Sequence, residues 1–476
     1  MKSIERFLNS TLYITIVYGF ALVTWSIEGT NDTVTTFGLF NMIGIFVIVL
    51  FLMLSLSLFS NAKYAIPLLT SLLFVVNNSV ITFDTLNTFG FPYIALVLVL
   101  MGPIIHIIRF KPKFRFHSLT LGLLLIAIAY LVPLLYTERS LKAIAISGVG
   151  LLYFFFYFFL SNTTKGDIDY FFKMLLIMNL LMVSEFGIKV IHSLIQFNDL
   201  SLVEAFKAGM QSGWGGNLGW ANVNDLCYYL TLTLPGYVYF IFKKPKNIIF
   251  WCLLILPAST ILLTGSRGGF MGFAIAVLGM AIIILFHGKH HQYFYGVFTI
   301  IAVALITYLS KDVLVNIYHA FIQTLDGGSI NSFSSSRIWI YARGLEIFES
   351  SPWFGQGWIS IDLLAAETNS RLFMYHSTII HVLATMGVFG LIALLIHYYQ
   401  VFTYIFEHWS LEMRLFLVAF IAVQIHGLVD NVQFSVPYSF LIAMLFPLLE
   451  NTSVKTLFRK EGRTLLFDAS LVLLPN

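Results

Sequence analysis

The chain has 476 residues, is 58% apolar and 11% charged, and carries a formal net charge of +4 with 47 Phe and 23 Tyr. Ordinary soluble domains are about one quarter charged, so this composition cannot cover a water-exposed surface and excludes a soluble globular protein. It fits an integral membrane protein, with recurring apolar stretches of about 20 residues, the length a helix needs to cross hydrocarbon.

In chain order, fourteen stretches are expected to span: 10–26, 36–59, 64–83, 89–108, 117–136, 141–160, 170–195, 222–242, 247–263, 268–286, 292–309, 376–405, 412–428 and 435–449. The start, MKSIERFLNSTLYITIVYGF, has a basic flank but no obvious small-residue cleavage site, so it is expected to stay as the first span. The expected fold is all-α: a polytopic membrane bundle of about 14 (12–14) transmembrane helices, one domain over 1–476. Cys227 and Cys252 both fall in apolar runs and are expected to be packed thiols.

Four segments are strongly basic: RFKPKFRFH (109–117), KKPK (243–246), HGKHH (287–291) and RKEGR (459–463). With the amino terminus inside, all four land in the cytoplasm, as positive-inside orientation requires. Both termini are then cytoplasmic, and neutral or acidic loops such as EGTND (28–32) lie outside. Two long segments, 196–221 and 310–375, are also outside. The second is a long extracytoplasmic loop carrying short helices: SSSRIWIYARGLEIF begins with serines suited to an N-cap, and Pro352 with two glycines ends the helix before SPWFGQGW. The tail TLLFDASLVLLPN is too short to span and is expected to lie along the inner face.

The chemistry-bearing residues gather outside. In ILLTGSRGGFMGF, Arg267 opens a span at the outer interface, where a charge costs less than at mid-membrane. Its glycine neighbours let an anion approach the backbone, and Ser266 and the helix amino end add donors and positive dipole. The competing reading is an arginine snorkelling at a helix end. Arg343 has Glu346 three residues on and is expected to pair with it, whereas Arg337 has no local acidic partner and is the better anion ligand. Arg371 is a further outside cation. His376 opens the twelfth span on the outer side, where neutral imidazole suits a general base, or a merely structural role. His381, five residues on, does not share its face, and with no acidic cluster beside them no metal site is expected. His426 and Asp430 stand four apart and are read first as a structural pair, second as substrate contacts. Glu185 and Lys189 are expected to neutralise each other inside the bundle.

TGSRGGFMG, then SSSRIWIYARGLEIFESSPWFGQGW, then HSTIIHVLATMGVFG resemble the signature blocks of the O-antigen ligase and Wzy-type polymerase superfamily. Upstream, GWGGNLGWANVNDLCYYLTLTLP resembles that family's Asn-containing block, with Asn224 at the matching place. The resemblance implies a GT-C-like, inverting, metal-independent glycosyltransferase without cofactor. Its donor is a glycan on a polyprenyl diphosphate such as undecaprenyl diphosphate, used on the outer face of a bacterial plasma membrane. By the same resemblance Arg267 and Arg337 bind the diphosphate and His376 is the base. Beside these carried-over roles, Ser266, Asn224, Arg371 and Asp430 are candidates for further substrate contacts. Family members often have Asn after this histidine, where this chain has Ser377.

Three functions are then in play. A polymerase joins lipid-linked repeat units, a ligase moves finished glycan to a lipid or protein acceptor, and a transporter or flippase moves the lipid. The Phe-, Ile- and Asn-rich composition points to a low-GC bacterium and tilts the choice toward the polymerase. A transporter would place ionisable groups at mid-membrane along a path. Expected partners are the donor, a glycan acceptor, membrane lipid, a flippase and a chain-length regulator; no nucleic acid is expected.

Overall fold

The computed structural model describes residues 2–29, 39–76, 91–137, 141–211, 218–219, 222–309, 311, 337–358, 360 and 375–451. Most of the loop 310–375, the acidic segment 30–32, the basic segment 459–463 and the carboxyl-terminal tail therefore lie outside the described residues.

Among the described residues the chain is helical throughout, with no β-strand. In chain order the α-helices are α1 (Lys2–Leu8), α2 (Thr11–Gly29), α3 (Leu39–Leu58), α4 (Ile66–Val76), α5 (Phe91–Phe110) and α6 (Thr120–Leu131). There follow α7 (Leu141–Thr163), α8 (Ile168–Gln196), α9 (Leu202–Gln211), α10 (Val223–Thr233), α11 (Pro235–Lys243) and α12 (Ile249–Thr264). The last six are α13 (Arg267–His287), α14 (His290–Leu309), α15 (Arg337–Ser350), α16 (Thr378–Glu407), α17 (Leu411–His426) and α18 (Val436–Glu450).

Within the described residues, each of the fourteen apolar stretches overlaps a helix or two consecutive helices. Among the described residues five helices are long and apolar enough to cross a membrane by themselves, or six if the pair Lys2–Leu8 and Thr11–Ser26, bent by 60°, counts as one. Several others are shortened for a visible reason. Pro235 divides the expected 222–242 span into α10 and α11, because proline has no amide to continue the helical ladder.

Large apolar side chains face outward in a way water would not tolerate: Phe286 is 77% exposed and Phe294 72%. The chain is a multi-pass membrane protein, and these faces meet lipid. Inside, some polar groups are paired. Tyr237 donates to Asn179 Oδ1 (2.9 Å), and Asn179 Nδ2 donates to Thr233 (2.8 Å). Cys227 is buried as expected, but Cys252 is exposed on the outside of α12. Glu185 accepts the Gly219 amide, and Lys189 lies 5.4 Å from the Trp25 ring. The pair is buried, as its apolar surroundings required, yet each member has a partner besides the other.

The two ends of the bundle differ in charge. At one end short loops are tied together by Lys63–Asp167 (2.9 Å), Arg115 N to Asn162 (2.8 Å), Lys243–Asp169, Arg414–His287 (3.1 Å) and Gly166 N to Asn451 O (3.1 Å). The basic segments 109–117, 243–246 and 287–291 therefore meet at this end. The opposite end holds Arg267, Arg337, His376 and the turn after α17.

Candidate active site

The turn that follows α17 organises this opposite end. Its backbone fixes the start of α16, since Thr378 N donates to Gly427 O (2.9 Å). One residue before the N-cap Ser377 lies His376, whose φ of 47° is left-handed. That conformation is uncommon outside glycine and costs on the order of 1–3 kcal/mol, held only because the surroundings over-determine it. Two bonds do so here. Tyr341 Oη donates to the His376 carbonyl (2.7 Å), and His376 Nδ1 lies 3.1 Å from Asp430 Oδ1.

An ionised carboxylate can only accept, so Nδ1 carries the proton and Nε2 is left as a proton acceptor. Asp430 is otherwise held by the Asn431 amide (2.9 Å) and by Arg337 Nη2 at 3.5 Å. Burial pushes its carboxyl up, but the His376 bond and the Arg337 and His426 charges outweigh that and hold it below the usual carboxylate range. Asp430 therefore stays charged while its side chain is only 10% exposed. The expected His426–Asp430 pair is thus a lesser part of this arrangement: the Asp430 amide bonds the His426 carbonyl (3.0 Å), while the carboxylate serves His376 and Arg337.

Arg337 stands in the first turn of α15 and Tyr341 is four residues on, so both reach the same place. Arg337 Nη1 also donates to the Val429 carbonyl. Burial, ahead of the Arg337 and Asp430 charges, pushes the Tyr341 phenol up, which keeps it a donor. Arg343 pairs with Glu346 at 2.7 Å, as its spacing foretold.

Arg267 enters from the third side. Gly265, at φ 66°, ends α12, and Ser266 caps α13 by accepting the Gly269 amide (3.1 Å). Close approach explains the next glycine. A Cβ on Gly268 would stand 2.9 Å from His426 Nε2 and 3.1 Å from Val429, and one on Gly272 3.1 Å from the Ala422 carbonyl. Small residues spaced by four let α13 seat directly on α17. The exposed Arg267 thus opens a helix whose first turn packs on the 426–429 segment, the same segment that Arg337 bonds. The buried Ser266 hydroxyl is occupied as a cap. Asn224 sits in the first turn of α10, its amide bonded to Asn222 (2.8 Å). Arg371 lies outside the described residues.

Asp225 was not anticipated. Its carboxylate accepts the Asn222 amide (3.1 Å), and it lies within electrostatic reach of Asp430 and His376. The signal was in the sequence: NVND before an apolar run is a capping box, and the structure has both of its bonds.

A clamp joins α15 to α16. Within α16, Gly387 breaks the helix at φ 63°, ψ −159°. The segment 352–357 fills the break: Val388 N and Phe389 N donate to Pro352 O (2.8 Å) and Trp353 O (3.0 Å), while Gln356 N and Gly357 N donate to Ala384 O and Thr385 O (both 2.9 Å). These bonds satisfy backbone groups that a kinked helix would otherwise leave open. They also fix the helix carrying Arg337 against the helix that follows His376.

Residues 252–395 match the family model described as O-antigen ligase. Over that stretch the chain is similar to the O-antigen ligase family. Arg267, Arg337 and His376 lie inside the match, whereas Asn224, Asp225 and Asp430 lie beyond it. No curated protein matches the chain significantly. The family suggests a ligase- or polymerase-like membrane enzyme that takes a lipid-linked glycan and an acceptor.

Proposed function

We propose that this protein is a metal-independent, inverting glycosyltransferase that polymerises glycan repeat units carried on undecaprenyl diphosphate, working at the extracytoplasmic face. What supports the reading is one arrangement: Asp430 joins His376 (3.1 Å) to Arg337 (3.5 Å), and the helix opened by Arg267 packs on the same turn. His376 Nε2 takes the proton of the acceptor hydroxyl, whose oxygen attacks the anomeric carbon of the donor. The bond from that carbon to the phosphate oxygen breaks with inversion, and the electron pair leaves on the diphosphate. Two guanidiniums meet the growing charge through paired, charge-assisted hydrogen bonds. Asp430 keeps the imidazole in the tautomer that accepts at Nε2 and steadies the imidazolium once formed. The lipid tail accounts for a site at the rim: it stays in hydrocarbon while the sugars reach water.

The family description favours a second reading, a ligase moving finished glycan to another acceptor. Transport is disfavoured because the ionisable cluster His376, Arg337 and Asp430 sits at one end of the helices, whereas a transport path places ionisable groups at mid-membrane. The test is purified protein given lipid-linked repeat units without nucleotide sugar or added metal. Longer glycan on the same lipid is the expected product. Transfer only to a different acceptor supports the ligase, and passage across sealed vesicles at unchanged glycan length contradicts both enzyme readings.

A further inference from the structure

At the basic end of the bundle, a pocket of about 280 Å³ opens between three helices, lined by Phe242, His287, Leu411 and Arg414. It lies at the far end of α13 from Arg267. That helix has 21 residues, so at about 1.5 Å per residue the two places are roughly 30 Å apart. The catalytic reading makes no use of this pocket.

Its chemistry is that of an anion site with an apolar wall. Arg414 Nη1 stands 3.1 Å from His287 Nε2, and His287 Nδ1 stands 3.1 Å from the Ile283 carbonyl. The carbonyl can only accept, so Nδ1 carries the proton and Nε2 accepts from the guanidinium. Arg414 spends one donor there and lays its plane 4.9 Å from the Trp409 ring. Its Nε is buried and has no hydrogen-bond partner among the described residues, which leaves a desolvated donor in want of an acceptor. Lys244 and Lys289 lie on the adjoining loops. Of the nearby carboxylates, Asp169 is already held by Lys173 (2.7 Å) and Lys243, and Glu412 is buried on α17.

The remaining wall, Phe242 and Leu411, is apolar; strongly exposed Leu285 and Phe286 precede His287 on α13, and exposed Phe406 stacks on Trp409. A free inorganic anion would gain nothing from that surface. A phosphate carrying acyl chains would, with the chains along these exposed side chains and the phosphate on the guanidinium. We infer that the Arg414–His287 pocket holds the headgroup phosphate of an anionic phospholipid of the membrane leaflet at the basic end.

Native mass spectrometry of the full-length protein, released from micelles with phosphatidylglycerol, phosphatidylcholine or inorganic phosphate, tests this without measuring turnover. The expected result is retention of one phosphatidylglycerol in preference to phosphatidylcholine, weakened about tenfold by Arg414→Gln. Leu411→Trp, which fills the pocket and keeps the guanidinium, should weaken it as well. Arg343→Gln, a cation at the other end, should leave retention unchanged. Equal retention of the two lipids, retention unaffected by both pocket variants, or inorganic phosphate displacing the lipid at similar concentration overturns the inference.

Discussion

At Asp430 the cost of burying a carboxylate is offset by two donors, the Asn431 amide and His376, and by the Arg337 charge. The folded carboxyl is held below its ordinary value of about 3.9. Its contribution to stability is therefore fully present above about pH 4 and is lost as pH falls through the lowered folded value. Asp430→Asn should lower the stability by about 1–3 kcal/mol at neutral pH, with the difference from wild type shrinking below about pH 4. Thermal unfolding of both proteins across pH 3–8 measures this. Arg267→Lys and Arg337→Lys should each lower kcat/KM by about 10–100-fold, because an ammonium lacks the bidentate fork. Normal kinetics in both would move the diphosphate contact elsewhere. The sequence read these residues unequally. Arg343 and Glu346 are neighbours on one helix, so their bond was foreseeable. The bond from Arg337 to Val429 crosses 92 positions, and that from His376 to Asp430 crosses 54. Local spacing could find each candidate but not the carboxylate they share.

At the scale of elements, the position of Arg337 relative to His376 depends on the clamp at Gly387. Its φ and ψ lie in a region essentially confined to glycine, and a Cβ there would meet Phe354 N at 2.5 Å. Gly355, at φ 69°, would bring a Cβ to 2.3 Å from the Thr385 carbonyl carbon. Gly387→Ala and Gly355→Ala should therefore each lower both the unfolding midpoint and the turnover. Gly19→Ala, with nothing within 4 Å, should do neither. Melting curves and product yield on the three variants decide the point. SPWFGQGW was readable as a helix stop, and α15 does end at Ser350. That it then enters a break in another helix was not readable, because HVLATMGVFGLI is an uncharged, mostly apolar run in which Gly387 looks like the packing glycine Gly390.

For the whole molecule, the sorting of cations between two ends was legible, since charge avoids hydrocarbon whatever the details of packing. Three basic segments do meet at one end. The count of crossings was less so: among the described residues five or six helices span by length and apolarity, against fourteen apolar stretches, and Pro235 divides one of those stretches. Positive-inside orientation predicts that the basic end is cytoplasmic and the Asp430 end outside. In a Cys252→Ser background, with Cys227 buried, Arg343→Cys should react with a membrane-impermeant maleimide on intact cells. Lys289→Cys should react only after permeabilisation, and the opposite pattern would invert the topology and move the chemistry inside.

The most direct test is His376→Ala, assayed for glycan transfer and for donor binding on the same purified sample. The account predicts that turnover disappears while the lipid diphosphate still binds, held by Arg267 and Arg337. Undiminished glycan product from that variant would contradict it.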